Sequence, residues 1–134
     1  MDRILRTRLP VALSLGLDIL LVIVFVLIGR RSHEHAFAMP DLILALIPWL
    51  VGLVAGWGLI RWRSGAWPDR VTHAVTLAIV TVAVTMILRP LMGQSVGDGF
   101  TGLLSFVGVA LAFLLLFLLG WRIIVAFIAR SSPR

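Results

Sequence analysis

The chain contains neither cysteine nor lysine among its 134 residues. Without cysteine it can form no disulfide, thiolate nucleophile, iron–sulfur cluster or Cys-based zinc site. Without lysine it offers no side-chain amine for a Schiff base. Charged residues make up 13% of the chain, and the twelve basic ones, all arginine, outnumber six acidic ones to give a net charge of +6. These absences remove several classes of enzyme and cofactor site.

Long apolar runs dominate what is present. The chain is 60% hydrophobic with a mean hydropathy of +1.09, and a helix needs ~20 mainly apolar residues to cross a bilayer. Only helices and closed barrels satisfy their backbone hydrogen bonds in lipid. Because the runs lack the period-two alternation of barrel strands, we expect them to be helices. We predict an all-α integral membrane protein, with residues 1–134 forming a single four-helix transmembrane domain. The expected spans are residues 9–28, 42–60, 71–89 and 100–121. Whether residues 123–129 extend the fourth span or lie on the membrane surface stays open.

The arginines are distributed unevenly about these spans. Nine lie in the N-terminal segment, the second loop and the C-terminal segment, whereas the other side holds Arg30, Arg31 and Arg89. Cytoplasmic loops carry an excess of basic residues, so both termini are predicted to be cytoplasmic. The arginines flank apolar runs and form no aromatic–basic stripe. They therefore indicate topology signals and anionic lipid contacts rather than a nucleic-acid partner.

Asp18 is an acidic residue inside the first apolar run. Nine residues at 1.5 Å each place it ~13.5 Å into the span, close to the midplane of a ~30 Å core. A mid-span aspartate costs roughly 2.5–3.5 kcal/mol on insertion scales, so it faces other helices or water. Helical spacing puts Ser14, Phe25 and Gly29 on the same face. The site is either proton- or cation-linked, or a neutral structural contact across the bundle.

A second polar row occurs in the third span, where Thr81, Thr85 and Arg89 share one face at spacings of four residues. Pro90 follows, and the helix is expected to end or kink there. The row indicates an anion or substrate site entered from outside, or else an arginine that extends to the lipid head groups. Helix rise separates Asp18 and Arg89 by ~11 Å of depth. The reach of the arginine and helix tilt could close much of that distance, so a direct pair is possible rather than predicted.

An outer-face cluster is formed by Arg30, His33 and Glu34. His33, Glu34 and His35 are consecutive on one loop and do not complete a known pattern of metal ligands, so they are a weak metal signal. A turn facing the head groups is the favoured interpretation. We predict no metal and no cofactor.

Other residues are assigned to packing and to the membrane interface. Gly52 and Gly56 form a G-x-x-x-G step that permits close helix approach, although a binding pocket beside them is the alternative. Helix packing is expected at Gly52, Gly56, Trp57 and Gly108. Interface anchors are expected at Trp62, Trp121 and Arg122.

Taken in order, several short motifs resemble a family of bacterial membrane proteins termed domain of unknown function 3054. They are Asp18, Phe25, the sequence GRRSH from Gly29, Pro48-Trp49, Gly52, Gly56-Trp57, Arg89, Phe106 and Gly120-Trp121-Arg122. The resemblance implies a compact four-helix protein of the bacterial cytoplasmic membrane and brings no known activity. It also implies that one recurring group comprises Asp18, Arg30, His33, Trp57, Arg89, Trp121 and Arg122.

No nucleophile–base pair, paired carboxylates or metal-binding helix motif occurs in the sequence, so an enzyme is not expected. The first hypothesis is a proton- or ion-linked transporter or channel that uses Asp18. As a homo-oligomer it could form a pathway between protomers. The alternative is a non-catalytic structural or accessory subunit of a membrane complex, with a partner membrane protein. Asp18 would then lock the bundle.

Overall fold

The computed structural model describes residues 9–30 and 39–131, which form four α-helices. They are α1 (Val11–Arg30), α2 (Met39–Ser64), α3 (His73–Leu91) and α4 (Gly99–Ser131). Each is long and apolar enough to cross a membrane. The all-α fold with four such helices is therefore confirmed. Below, the two ends of the bundle are named after the connection found there, the α2–α3 end and the α3–α4 end.

Two helices extend further than the apolar runs alone indicated. Helix α2 continues past residue 60 to Ser64, and α4 continues past residue 121 to Ser131. Residues 123–129 therefore extend the fourth helix. At 1.5 Å per residue, the 33 residues of α4 span ~50 Å, against a hydrocarbon core of ~30 Å. Helix α3 includes Pro90 and ends one residue later, at Leu91. Gly93 adopts a positive φ of 75° and the Gln94 N–H donates back to the Arg89 carbonyl at 2.7 Å, which is a glycine-terminated helix end.

Helices α2 and α3 make the closest contact in the bundle, and glycine permits it. A Cβ atom built on Gly52 would lie 2.7 Å from the Thr81 carbonyl oxygen, and one on Gly56 would lie 3.0 Å from Leu77. The two glycines of the G-x-x-x-G step therefore pack against α3 of the same chain. Gly108 differs, because a Cβ atom there would meet nothing within 4 Å. The expectation that Gly108 packs against a neighbouring helix is wrong within this chain.

The core is a single apolar cluster between the four helices. Its fully buried side chains include Val22 on α1, Leu53 on α2, Leu77 on α3, and Leu114 and Leu118 on α4. Large apolar side chains also cover the outside of the bundle, where lipid would surround them. Examples are Leu20, Val54, Ile87, Phe100, Leu116 and Ile124. Helices that are apolar on every side are typical of membrane spans.

Pro48 interrupts the backbone hydrogen bonds of α2, and a side chain from outside the helix occupies the carbonyl that it leaves free. Proline has no N–H to donate to the carbonyl four residues earlier, which here belongs to Leu44. The Gln94 side chain donates to that carbonyl at 2.8 Å. The Pro48 carbonyl itself accepts from the Thr85 hydroxyl at 3.3 Å. Pro48 thereby ties α2 both to α3 and to the α3–α4 connection.

Candidate functional site

The carboxylate of Asp18 is completely buried and accepts four hydrogen bonds. Its Oδ1 accepts from Trp121 Nε1 and Arg122 Nη1, both at 2.8 Å. Its Oδ2 accepts from Trp57 Nε1 at 2.8 Å and Arg122 Nη2 at 2.7 Å. A carboxylate has about four lone-pair sites, so each one has a donor. We call Asp18, Trp57, Trp121 and Arg122 the Asp18 cluster.

Arg122 is the cation of this cluster, and its side chain is also 0% exposed. Its guanidinium meets Asp18 in the two-pronged geometry that makes arginine–carboxylate pairs strong. The same nitrogens donate to the carbonyls of Leu118 and Pro68, at 3.2 and 3.3 Å. The guanidinium also lies 4.5 Å from the Trp121 ring centre. Among its nitrogens, Nε has no partner. The cluster thus joins α1, α2, α4 and the α2–α3 connection.

These contacts correct the interface-anchor prediction for Arg122 and Trp121. The guanidinium of Arg122 is buried against a carboxylate and two carbonyls, so it cannot contact lipid head groups. Trp121 directs its indole N–H inward to Asp18. Trp62, by contrast, is 81% exposed, as an anchor would be. Trp57 is buried as the packing prediction supposed, but it also donates to the carboxylate.

Asp18 also lies nearer one end of the bundle than the sequence indicated. Because α1 begins at Val11, Asp18 is seven residues into the helix, ~10.5 Å from its start and ~18 Å from its end at Arg30. Arg122 is nine residues, or ~13.5 Å, from the end of α4 at Ser131. The two side chains therefore meet at similar depth from the α2–α3 end, and Arg122 occupies the position that Arg89 was considered for.

The predicted polar row on α3 is divided between two environments. Thr81 and Thr85 are fully buried against α2. There the single Thr85 hydroxyl proton is shared between the carbonyls of Thr81 at 2.7 Å and Pro48 at 3.3 Å. The Thr81 hydroxyl is buried without a partner. Neither threonine lines the two cavities described below. The expectation that these hydroxyls line an entry path is wrong, because they face the α2–α3 contact.

Arg89 lies apart from the threonines, at the α3–α4 end. Its Nε donates to the Ser95 carbonyl at 2.7 Å, and its guanidinium lies 5.1 Å from the ring centre of Phe106. Within the described residues, its two terminal amino groups donate to no acceptor. Arg89 thus stacks on an aromatic ring and fixes the α3–α4 connection while keeping charged donors available.

A cavity of about 460 Å³ opens beside Arg89, between α1, α2 and α4. Arg30 and Arg89 supply its charge, and the rings of Phe25, Trp49 and Phe106 form much of its wall. Trp49 meets Phe25 edge-on at 4.9 Å and stacks on Phe106 at 6.1 Å between ring centres. Of the predicted outer-face cluster, Arg30 lines this cavity, whereas His33 and Glu34 lie outside the described residues. We call this space the α3–α4 cavity.

A second cavity, of about 610 Å³, opens at the other end of the bundle. Ser14 and Trp57 line it together with residues 65–69 of the α2–α3 connection. Trp67 packs against Trp57 and lies under the guanidinium of Arg61. Trp57, one of its lining residues, donates its indole N–H to Asp18. Asp18 itself does not line it.

The structure divides the group of seven residues implied by the family resemblance. Asp18, Trp57, Trp121 and Arg122 form one cluster, and Arg30 and Arg89 share the α3–α4 cavity. The seventh, His33, is outside the described residues. Spacing within the chain gave no sign of the Asp18–Arg122 pair, which joins residues 104 positions apart. The resemblance was the signal that grouped them.

Four apolar helices around a buried aspartate–arginine pair indicate a small helical membrane protein. The chain belongs to the family described as protein of unknown function DUF3054, whose model matches residues 15–125. That match includes every member of the Asp18 cluster and confirms the resemblance found in the sequence. No curated protein and no solved structure gave a match to the chain.

Proposed function

We propose that this is a non-catalytic structural or accessory protein of the membrane, in which the Asp18 cluster is a permanent lock between helices. The observation that supports this best is the complete hydrogen bonding of the Asp18 carboxylate, with two donors on each oxygen. A carboxylate that takes part in ion or proton transfer must be able to exchange partners with water or cargo. Releasing Asp18 would leave Arg122 buried and unpaired, which is strongly unfavourable.

The remaining parts of the proposal concern setting and partners. We place the protein in the bacterial cytoplasmic membrane with both termini in the cytoplasm, on the basis of the arginine distribution. A partner membrane protein, or a second copy, would dock on the bundle from the lipid side. The exposed α4 row of Ser105, Gly108 and Ala112 supports this, because small residues let a second helix approach closely.

A proton- or ion-linked transporter is the second candidate, and the two cavities are what favours it. Ser14 lines one cavity and Phe25 lines the other, eleven residues apart on α1, which corresponds to ~16 Å. Asp18 and Val22 fill the interval. A transport cycle would open this interval by breaking the Asp18–Arg122 pair, with Trp57 moving out of the way.

Reconstitution into liposomes with an internal pH-sensitive dye tests the two candidates. If the Asp18 cluster is a permanent lock, vesicles that contain the wild-type protein dissipate an imposed pH gradient no faster than empty vesicles, with or without added solutes. Asp18→Asn then lowers the unfolding temperature in detergent. Trp57→Phe, which removes one of the four hydrogen bonds and keeps the ion pair, has a smaller effect. A wild-type flux that Asp18→Asn abolishes while the protein keeps its thermal stability would favour transport and contradict the lock.

A further inference from the structure

The α3–α4 cavity combines two cations with an apolar interior. Arg30 and Arg89 are its charged lining residues, and no carboxylate lines the part that the structure describes. The nearby Asp98 is exposed and lies outside the lining. The terminal amino groups of Arg89 donate to no acceptor among the described residues, and Arg30 adds positive charge to the same lining, so this space favours an anion. Arginine is also well suited to phosphate and carboxylate groups, because its donors are paired in a plane.

The interior of the cavity is aromatic and aliphatic rather than polar. The rings of Phe25, Trp49 and Phe106 surround it, and Val109 and Ala110 continue it along α4. From Gly102 to Ala110 the lining extends eight residues, or ~12 Å, into the bundle. An inorganic anion would leave this apolar surface unfilled. The shape and chemistry fit a ligand with a charged head and an apolar chain.

The cavity is also enclosed on one side and open on another. The α3–α4 connection closes it at the end of the bundle, where Arg89 binds the Ser95 carbonyl. Gly97 there sits so close to Gly102 that a Cβ atom would lie 2.5 Å from its backbone. On the lipid side, Ser105 and Val109 line the cavity and are exposed. A ligand could therefore enter laterally from the bilayer.

From these observations we infer that the α3–α4 cavity binds an anionic amphiphile. Arg89 binds its phosphate or carboxylate group, Arg30 adds positive charge to the same lining, and the aromatic walls contain its chain. The volume of about 460 Å³ lies within the range of small-molecule sites, ~300–1,000 Å³. This site is separate from the Asp18 cluster and goes beyond the proposed lock. Either a membrane phospholipid or a free amphiphile could supply the shared chemistry.

Fluorescence quenching tests the inference, because Trp49 lines the cavity. The full-length protein in nonionic detergent is titrated with a medium-chain alkyl phosphate that carries bromine on its chain. An alkyl trimethylammonium with the same brominated chain is the comparison. The anionic probe should quench saturably, and the Trp49→Phe variant should lose that component. The cationic probe should show no saturable component.

Two pairs of variants locate the site. Arg89→Gln should weaken binding of the anionic probe roughly tenfold or more, since hydrogen bonds to charged groups are worth ~1.5–3 kcal/mol, and Arg89→Lys should lose less. Val109→Phe should obstruct the opening, whereas the matched Val54→Phe should not. These valines are 56% and 59% exposed, so neither change disturbs the core. Circular dichroism melts verify that each variant is folded.

Three results would overturn the inference. They are equal quenching by the two charge types, equal effects of the two valine variants, and displacement of the probe by inorganic phosphate alone at similar concentration. In nanodiscs, Arg89-dependent quenching by brominated phosphatidylglycerol but not phosphatidylcholine would support the site and assign it to lipid. Saturable, Arg89-dependent binding of the alkyl phosphate without that lipid effect would support the site and assign it to a free amphiphile.

Discussion

Breaking one half of the Asp18–Arg122 pair should cost far more stability than breaking both. In Asp18→Asn, the amide group has one acceptor oxygen and one donor nitrogen. Whichever way the amide turns, its NH₂ faces two donors, either Trp57 and Arg122 or Trp121 and Arg122. The guanidinium, which is fully buried, is left without its counter-ion. Removing one partner of a buried pair costs about 3–5 kcal/mol.

Arg122→Met should destabilise the bundle to a similar extent, because it leaves the carboxylate buried with two indole donors alone. In the double variant Asp18→Asn/Arg122→Met, neither charge remains to be buried. Its loss should be smaller than the sum of the single losses by about 2 kcal/mol or more, since contacting residues in one network are coupled. The exchange of a buried pair for uncharged side chains is often nearly neutral.

Equilibrium unfolding in mixed micelles, followed by circular dichroism, measures all four members of this cycle. Arg63→Met is the control, because that arginine is exposed, on the same half of the bundle and outside the Asp18 cluster. It should change the free energy of unfolding by less than about 1 kcal/mol. Additive single losses, or an Asp18→Asn variant as stable as wild type, would refute the argument that the pair is a desolvated, interdependent unit.

Two further predictions follow from the packing and from the arginine distribution. Gly52→Ala should destabilise the protein by about 1–3 kcal/mol in the same assay, because its methyl group would collide with the Thr81 carbonyl. The control Gly58→Ala, on the same helix with open space around it, should not destabilise the protein. Equal effects of the two variants would contradict the close-approach argument. Since the chain has no cysteine, Ser95→Cys and Trp62→Cys can be labelled individually in intact cells. A membrane-impermeant maleimide should modify Ser95→Cys alone, and the reverse pattern would invert the topology.

The sequence predicted the helices well because bilayer crossing depends on a local property, the length of an apolar run. It did not predict the site, because pairing depends on helix rotation and depth. The sequence assigns Arg122 to the membrane interface because the fourth expected span ends at residue 121. The helix continues to Ser131, which places Arg122 inside the bundle. Likewise, Thr81 and Thr85 share a face with Arg89, but the rotation of α3 decides that this face meets α2.

The proline in α2 illustrates the same limit. Pro48 predicts a freed carbonyl four residues earlier, yet the chain offers no local indication of which side chain occupies it. Gln94, fifty positions away, does so. A local rule therefore gives the unsatisfied group, and the tertiary fold selects its partner.

The Asp18–Arg122 pair has a consequence for the order of synthesis. Asp18 lies on α1 and Arg122 on α4, so the ribosome adds Arg122 104 residues after Asp18. At about 5–20 residues per second, the wait lasts roughly 5–20 s. During that time α1 contains a carboxylate whose insertion costs roughly 2.5–3.5 kcal/mol. A chain that stops before Arg122 never acquires this counter-ion, so a truncated product keeps the Asp18 carboxylate without its cation.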